Sequence, residues 1–98
     1  MIMHRTSPNK ANASQPIRVL FICHGNICRS PMSEFVMKDL VRKAGLEHTI
    51  SIESAAMHRD ELGSDTHPGT KGILDANGVP YAPRAARLVT KDDYLSLI

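Results

Sequence analysis

The chain has 98 residues, of which 42% are hydrophobic and 22% charged, enough for one small globular domain. This composition excludes a disordered, collagen-like or coiled-coil protein. The net charge of +2 comes from Arg5 and Lys10, because residues 17–98 carry ten basic and ten acidic side chains. A neutral body gives no basic surface for nucleic acid or an anionic membrane, and no apolar run has the length of a transmembrane helix.

The first predicted elements are a tail, a strand and a loop. Residues 1–16 are polar and contain proline, so we predict a disordered tail, followed by an α/β domain over residues 17–98. Ile17–Cys23 is a run of β-branched and aromatic residues of strand length, which predicts a strand buried on both faces. The strand ends in a turn signal, His24-Gly25-Asn26.

A helix follows this loop. Ser30 is a preferred N-cap residue, and Pro31 is favoured at the first helical position. Gly45 is expected to end the helix. The apolar residues at helical spacing, expected to face the core, are Val36, Met37, Leu40, Val41 and Ala44.

The second half of the chain repeats this alternation. Thr49–Ala56 alternates around its isoleucines and predicts a second strand. Pro68 is expected to begin a weaker helix with Ile73 and Leu74 facing inward, and Asn77-Gly78 to end it.

The order of elements indicates where a ligand would bind. A last short helix is predicted at Thr90, where Asp93 is placed to complete a capping box. Strand, helix, strand, helix is typical of an α/β fold with a parallel sheet and flanking helices. Ligands of such sheets bind beyond the carboxyl ends of the strands, which is where Cys23–Ser30 lies.

The loop Cys23–Ser30 has the features of an anion site. Backbone N–H groups without partners converge at a helix N-terminus, and the helix dipole adds partial positive charge. Arg29 follows Cys23 by six positions, and its planar guanidinium suits two phosphate oxygens. The same environment would lower the pKa of Cys23 and favour its thiolate, while Ser30 would either bond that thiolate or cap the helix.

The extended string FICHGNICRSPMSE at residues 21–34 closely resembles the phosphate loop of low-molecular-weight protein tyrosine phosphatases. The resemblance continues at Ser54-Ala55-Ala56, at His67-Pro68-Gly69 and from Arg87 to Tyr94, and so covers the chain from about Ile17 onward. It implies hydrolysis of a phosphotyrosine protein or a small phosphomonoester through a phosphocysteine intermediate, with no metal or cofactor.

The resemblance also implies a role for each loop residue. Cys23 is the nucleophile, and Arg29 stabilises the transferring phosphoryl group. Asn26, Ser30 and Ser54 support the loop, with Asn26 bonded to Ser54, and Cys28 is a redox partner of Cys23. The implied phosphate-binding residues are His24, Gly25, Asn26, Ile27, Cys28, Arg29 and Ser30.

The sequence departs from the family pattern in its second half. The family's general acid is an aspartate in an Asp-Pro loop, and this chain contains no Asp-Pro. Asp92 and Asp93 match a different family segment, so the acid role is not transferred to them. The chain ends in an apolar run where the family's third strand begins, and we expect an α/β domain incomplete at its C-terminus. Half a sheet exposes a strand edge, which predicts a homodimer through that edge.

Two other functions and the substrate preference stay open. One is a catalytically weak phosphate-binding or interaction module. The other is an arsenate reductase, which needs relay cysteines that do not follow Cys28. The expected pocket rim is His24, Met57, His58 and Asp60, with Asp60 where related enzymes carry an aromatic residue, so stacking on an aryl substrate is weakened. Two cysteines within one loop favour a reducing, cytoplasmic setting.

Overall fold

The computed structural model of the chain describes residues 2–5 and 17–97. The strands are β1 (Ile2–Arg5), β2 (Ile17–Cys23) and β3 (Ile50–Ala56). The helices are α1 (Arg29–Lys43), α2 (Pro68–Ala76) and α3 (Lys91–Leu97). Among the described residues, no helix is both long and apolar enough to cross a membrane.

The sheet has three strands in the order β1-β2-β3. β2 and β3 run parallel, with Ile17 opposite Ile50 and Cys23 opposite Ala56. The predicted α/β fold with a parallel strand pair and flanking helices is confirmed. The register brings the carboxyl ends of both strands to one edge, from which the loop Cys23–Ser30 leaves the sheet.

Strand β1 corrects the prediction for the N-terminal tail. Ile2–Arg5 pair antiparallel with β2, so the prediction of disorder over residues 1–16 is wrong for these four residues. Residues 6–16 lie outside the described residues. A buried strand needs partners for the backbone N–H and C=O groups on both of its edges, and β1 supplies them on the edge of β2 opposite β3. The composition of residues 1–16 does not show that the edge of β2 needs hydrogen-bond partners.

Both faces of β2 are buried, as the apolar run predicts. Leu20 and Ile22 pack with Ala55 of β3 on one face. Val19 packs with Ile52 of β3 and Val41 of α1 on the other. The strand that carries Cys23 is thus fixed by apolar contacts on both sides.

Helix α1 begins at Arg29, not at Pro31. Cys28 occupies the N-cap position and makes no side-chain capping bond, so the predicted Ser30 cap is wrong. Ser30 lies inside the first turn, and its hydroxyl is used in the loop. The predicted end is confirmed: Gly45 has φ of 73°, and Leu46 N–H donates to the Val41 carbonyl at 2.9 Å. This is a Schellman motif.

The buried face of α1 is rotated from the predicted stripe. Phe35 and Val41 are buried, but Leu40 is 57% exposed and Ala44 is exposed, so the prediction is wrong for these two residues. Two carboxylates, Glu34 and Asp39, are buried instead. Each carboxylate is paired with cationic side chains of the same helix, and this pairing offsets the cost of burying a charge. The spacing of apolar residues, on which the prediction rested, does not show such ion pairs.

The C-terminal segments follow the predictions with one exception. α2 begins after His67, whose Nδ1 accepts from Gly69 N–H at 2.9 Å, and Leu74 is buried. Ile73 is 53% exposed, contrary to prediction. At α3 the capping box is present: Thr90 N–H donates to Asp93 Oδ2 at 2.7 Å, and Asp93 N–H to Thr90 Oγ1 at 3.2 Å.

The segment before α3 runs beside the end of β3. Ala56 N–H donates to the Arg87 carbonyl at 2.7 Å, and Val89 N–H donates to the Ala56 carbonyl at 2.8 Å. Arg87 is thereby held close to the loop that leaves β2.

Candidate active site

The loop Cys23–Ser30 connects the carboxyl end of β2 to the N-terminus of α1. Its shape is fixed from outside by backbone hydrogen bonds. Met57 N–H donates to the Cys23 carbonyl at 2.9 Å, His58 N–H to the His24 carbonyl at 3.0 Å, and His67 N–H to the Ile27 carbonyl at 2.8 Å. The loop is therefore held by β3 and its following segment as well as by its own two ends.

Cys23 lies where a thiolate is favoured. Its Sγ is 3.0 Å from Ser30 Oγ, and the Asn26 amide donates to it at 3.3 Å. Partial burial alone would favour the neutral thiol. Hydrogen bonds from the Ser30 hydroxyl and from the Ser30, Asn26 and Gly25 amides outweigh it and lower the pKa of Cys23.

Asn26 donates hydrogen bonds to two serines, one of which contacts the Cys23 sulfur. Its Nδ2 donates to Ser30 Oγ at 2.8 Å and to Ser54 Oγ at 2.9 Å, the second being the contact that the family resemblance implies. Because Ser30 Oγ accepts from an amide, its own proton is available to the Cys23 sulfur. Asn26 has φ of 60°, a left-handed conformation that asparagine tolerates better than most residues.

A second layer of residues that the sequence analysis missed surrounds Asn26. Arg84 donates to the Asn26 carbonyl at 3.0 Å and to Asn26 Oδ1 at 2.7 Å. Arg87 N–H also donates to Oδ1, at 3.2 Å. The buried Glu34 carboxylate accepts from the Ser54 hydroxyl and from Lys38 Nζ. Asn26 is fully buried and has partners at both ends of its side chain.

Among the residues around Asn26 and Ser54, only Glu34 had a local sequence signal. Glu34 follows Ser30 by four residues, which places both on one face of α1. Arg84 lies in a proline-containing loop 58 residues from Asn26, and no local pattern links the two.

A pocket of about 520 Å³ opens over the loop. Its lining includes Cys23, Arg29 and Ser30, so the structure brings together the predicted nucleophile, the predicted phosphoryl-binding cation and the predicted support residue. The Arg29 side chain is exposed, and Cys28 is a half-buried free thiol. Among the described residues, no group of three His, Cys, Asp or Glu side chains is placed to hold a metal ion.

Three of the four predicted rim residues line this pocket, and the fourth, Asp60, contacts one of them. His24, Met57 and His58 line it, and the rings of His24 and His58 stack with centroids 4.2 Å apart. His24 Nε2 lies 2.6 Å from Asp60 Oδ2. This hydrogen bond, with the charge attraction of His24, lowers the pKa of the exposed Asp60 carboxyl. His24, His58 and Asp60 therefore form a connected cluster at the rim.

Comparison with known proteins decides the family. The family model for the low molecular weight phosphotyrosine protein phosphatases matches residues 18–97. The chain belongs to this family. The match includes the loop Cys23–Ser30 and all of its described partners.

Relatives come from distant organisms. The low molecular weight protein-tyrosine-phosphatase YfkJ of Bacillus subtilis is 44% identical over 77 residues, which are 79% of this chain and 49% of the relative. The phosphatase of this family from Schizosaccharomyces pombe is 43% identical over 77 residues, 78% of this chain and 49% of the relative. The chain spans about half the length of the curated relatives it matches.

Solved structures of the family share this fold. The crystal structure of YfkJ superposes with a TM-score of 0.77 at 42% identity, covering 82% of this chain and 50% of that one. The enzyme from Streptococcus pyogenes gives a TM-score of 0.73 at 38% identity, covering 82% and 51%.

Proposed function

We propose that this member of the low-molecular-weight phosphatase family hydrolyses phosphomonoesters, with a phosphotyrosine protein or a small phosphomonoester as substrate. The observation that carries the proposal is the environment of Cys23. Its sulfur accepts hydrogen bonds at a helix N-terminus, inside a pocket that Arg29 also lines. A thiolate beside an anion cradle is the arrangement that nucleophilic attack on a phosphoryl group needs.

The proposed reaction has two displacements. The Cys23 thiolate attacks phosphorus in line with the ester oxygen, the S–P bond forms, and the P–O bond to the leaving group breaks. Water then attacks the phosphocysteine, releasing inorganic phosphate and restoring the thiolate. The amides of residues 24–29 and the Arg29 guanidinium hold the equatorial phosphoryl oxygens throughout.

The general acid is a separate question. A tyrosyl leaving group has a pKa of about 10, so protonation assists its departure. Asp93 does not suit this role, because its buried carboxylate accepts hydrogen bonds from Arg18, Arg87 and Thr90 and is held ionised. Asp92 is exposed on α3. We assign the acid role to neither residue.

Cys28 is proposed as a redox partner of Cys23. A peroxide would oxidise the Cys23 thiolate to the sulfenic acid, and the Cys28 thiol would displace water from it to form a disulfide that an external thiol can reduce. Both cysteines are free and half-buried in one loop, which supports the proposal. We expect Cys28→Ser to remain active but to lose the thiol-reversible recovery after peroxide treatment. Equal recovery would refute the role.

A homodimer through a sheet edge and a cytoplasmic setting complete the proposal. β1 covers one edge of β2, so the edge proposed for pairing is the outer edge of β3. Residues 87–89 pair there with Ala56. A monomeric mass by light scattering at high micromolar concentration would exclude the dimer.

The experiment that tests the function is steady-state hydrolysis of p-nitrophenyl phosphate by the 98-residue chain. Cys23→Ser should abolish turnover, whereas Cys28→Ser, a matched change in the same loop, should retain it. Turnover that survives Cys23→Ser would contradict the proposed nucleophile. Tight vanadate binding without any turnover would favour the alternative of a phosphate-binding module.

A further inference from the structure

A buried carboxylate outside the phosphate loop links helix α3 to that loop. Asp93 is 4% exposed, and it lies at the start of α3. The Arg87 guanidinium donates to both of its oxygens, from Nη1 to Oδ2 at 2.9 Å and from Nη2 to Oδ1 at 3.2 Å. This is the forked geometry in which arginine binds a carboxylate most specifically.

Three further hydrogen bonds fix the same carboxylate. Arg18 of β2 donates to Oδ1 at 2.9 Å, and Arg18 also bonds Glu53 of β3 at 2.7 Å. The Thr90 amide and hydroxyl donate to Oδ2 at 2.7 and 3.0 Å. Asp93 therefore joins the two parallel strands, the segment before α3 and the helix itself. Arg18, Glu53 and Arg87 are the charged groups that face this cluster in the contacts above.

Arg87 is the connection between this cluster and the loop. Its side chain is held by Asp93, while its backbone N–H donates to Asn26 Oδ1 at 3.2 Å. Its carbonyl accepts from Ala56 N–H at 2.7 Å, next to the end of β3. Asn26 in turn bonds Ser30, which contacts the sulfur of Cys23. Asp93 is thus joined to Cys23 through three intermediate residues.

We propose that Asp93 is a positioning residue of the phosphate loop: by fixing Arg87 it keeps the Arg87 amide on Asn26 and so keeps the Ser30 hydroxyl directed at Cys23. Asp93 touches neither the pocket nor the sulfur. Its effect on the reaction passes through Arg87, Asn26 and Ser30, and the inference rests on the proposed role of Cys23 as the nucleophile.

The test compares two buried carboxylates. Asp93→Asn removes the charge that holds Arg87. Asp39→Asn is the matched control, because Asp39 is also buried and is paired with Arg42 and Lys43, but on the C-terminal half of α1. The readout is the pH dependence of Cys23 alkylation by iodoacetamide, with Cys23 and Cys28 distinguished by tandem mass spectrometry.

We expect Asp93→Asn to raise the apparent pKa of Cys23 by about half a unit to one unit, the equivalent of one weakened hydrogen bond. In p-nitrophenyl phosphate hydrolysis, kcat should fall several-fold more than KM changes. Asp39→Asn should lower stability and leave the Cys23 titration where it is in the wild-type chain. An equal shift in both variants, or none in Asp93→Asn, would overturn the proposal.

A second variant keeps the test decisive if Asp93→Asn does not fold. Arg87→Lys retains a positive charge and the backbone N–H but cannot form the forked pair. It should raise the Cys23 pKa in the same direction, and an unchanged titration would overturn the proposal. A wild-type chain with an ordinary Cys23 pKa would instead count against the proposed function itself.

Discussion

At the scale of single residues, the site depends on which hydrogen bonds the Ser30 hydroxyl makes. Ser30 has the residue type of an N-cap, and its sequence position supports that role equally well. In the structure the hydroxyl accepts from Asn26 and contacts Cys23, and the N-cap position falls on Cys28. Helix α1 therefore has no side-chain cap, and the Ser30 hydroxyl is available as a hydrogen-bond donor to the Cys23 thiolate.

This arrangement makes a testable prediction about pH. Ser30→Ala should raise the pKa of Cys23, because it removes the side-chain hydrogen bond that favours the charged form. Less thiolate is then present near neutral pH, and the rate of alkylation there should fall several-fold while the rate at high pH is retained. Ser51→Ala, on the exposed part of β3, is the control. An unchanged alkylation profile in Ser30→Ala would contradict the assignment.

At the scale of elements, the apolar run of β2 and the turn after it are strong local signals. They predict the strand, the loop and the helix that follows. The parts that the sequence did not reveal depend on contacts between distant residues. β1 forms because an edge of β2 needs partners, and α1 is rotated because Glu34 and Asp39 find cations and a serine hydroxyl. The number and spacing of apolar residues indicate neither the pairing of β1 with β2 nor the ion pairs of α1.

Two glycines, Gly45 just after a helix and Gly72 inside one, give opposite predictions for substitution by alanine. Gly45 has φ of 73° and open space around the position of a Cβ, so Gly45→Ala brings backbone strain without a clash. We expect a loss of about 1 kcal/mol in the free energy of unfolding. Gly72 lies inside α2, also with open space, and Gly72→Ala should gain about 0.5–1 kcal/mol. Urea denaturation checks both, and changes of the same sign would contradict the account.

At the scale of the whole molecule, the buried Asp93 and the exposed Asp65 each join segments that are separated in the sequence. Asp93 joins residues separated by up to 75 positions, and Asp65 accepts from Lys71 and from the amides of Thr66 and Arg84. Lys71 is the main cause that lowers the pKa of Asp65 to about 2. For Asp93, burial favours the neutral acid, but the bonds from Arg87, Thr90 and Arg18 outweigh it and hold the pKa far below the usual range.

These shifts predict how stability depends on acid. A carboxylate whose folded pKa is depressed stabilises the fold at every pH above its unfolded value of about 4, and this contribution is lost as pH falls toward the folded pKa. Asp93→Asn should lower the free energy of unfolding at pH 7 by about 1.5–3 kcal/mol. It should also flatten the decrease in stability between about pH 5 and pH 2.

The control for this prediction is the neighbouring carboxylate on α3. Asp92 is exposed, and Asp92→Asn should leave the dependence of stability on pH close to that of the wild-type chain. Urea midpoints measured at intervals between pH 2 and pH 7 provide the comparison. A decrease of equal steepness in Asp93→Asn and in the wild-type chain would show that Asp93 does not contribute in this way.

Contacts between residues far apart in the sequence also limit how much of the site could be predicted. The nucleophile, the arginine and the loop lie within eight consecutive residues, and their pattern is readable from the sequence. Arg84 and Arg87 reach Asn26 across 58 and 61 positions. The family resemblance includes the segment from Arg87 to Tyr94, but the contact of Arg87 with Asn26 became visible only in the folded chain.

Cys23 is proposed to form a covalent bond to phosphorus, and trapping that phosphocysteine tests the proposed mechanism. The chain is mixed with p-nitrophenyl phosphate, quenched in acid within the first turnover and analysed by tandem mass spectrometry. We expect the added mass of one phosphoryl group on Cys23 in the wild-type chain and in Cys28→Ser, and its absence in Cys23→Ser. Hydrolysis that proceeds with no phosphoryl group on Cys23, or with the group on another residue, would contradict it.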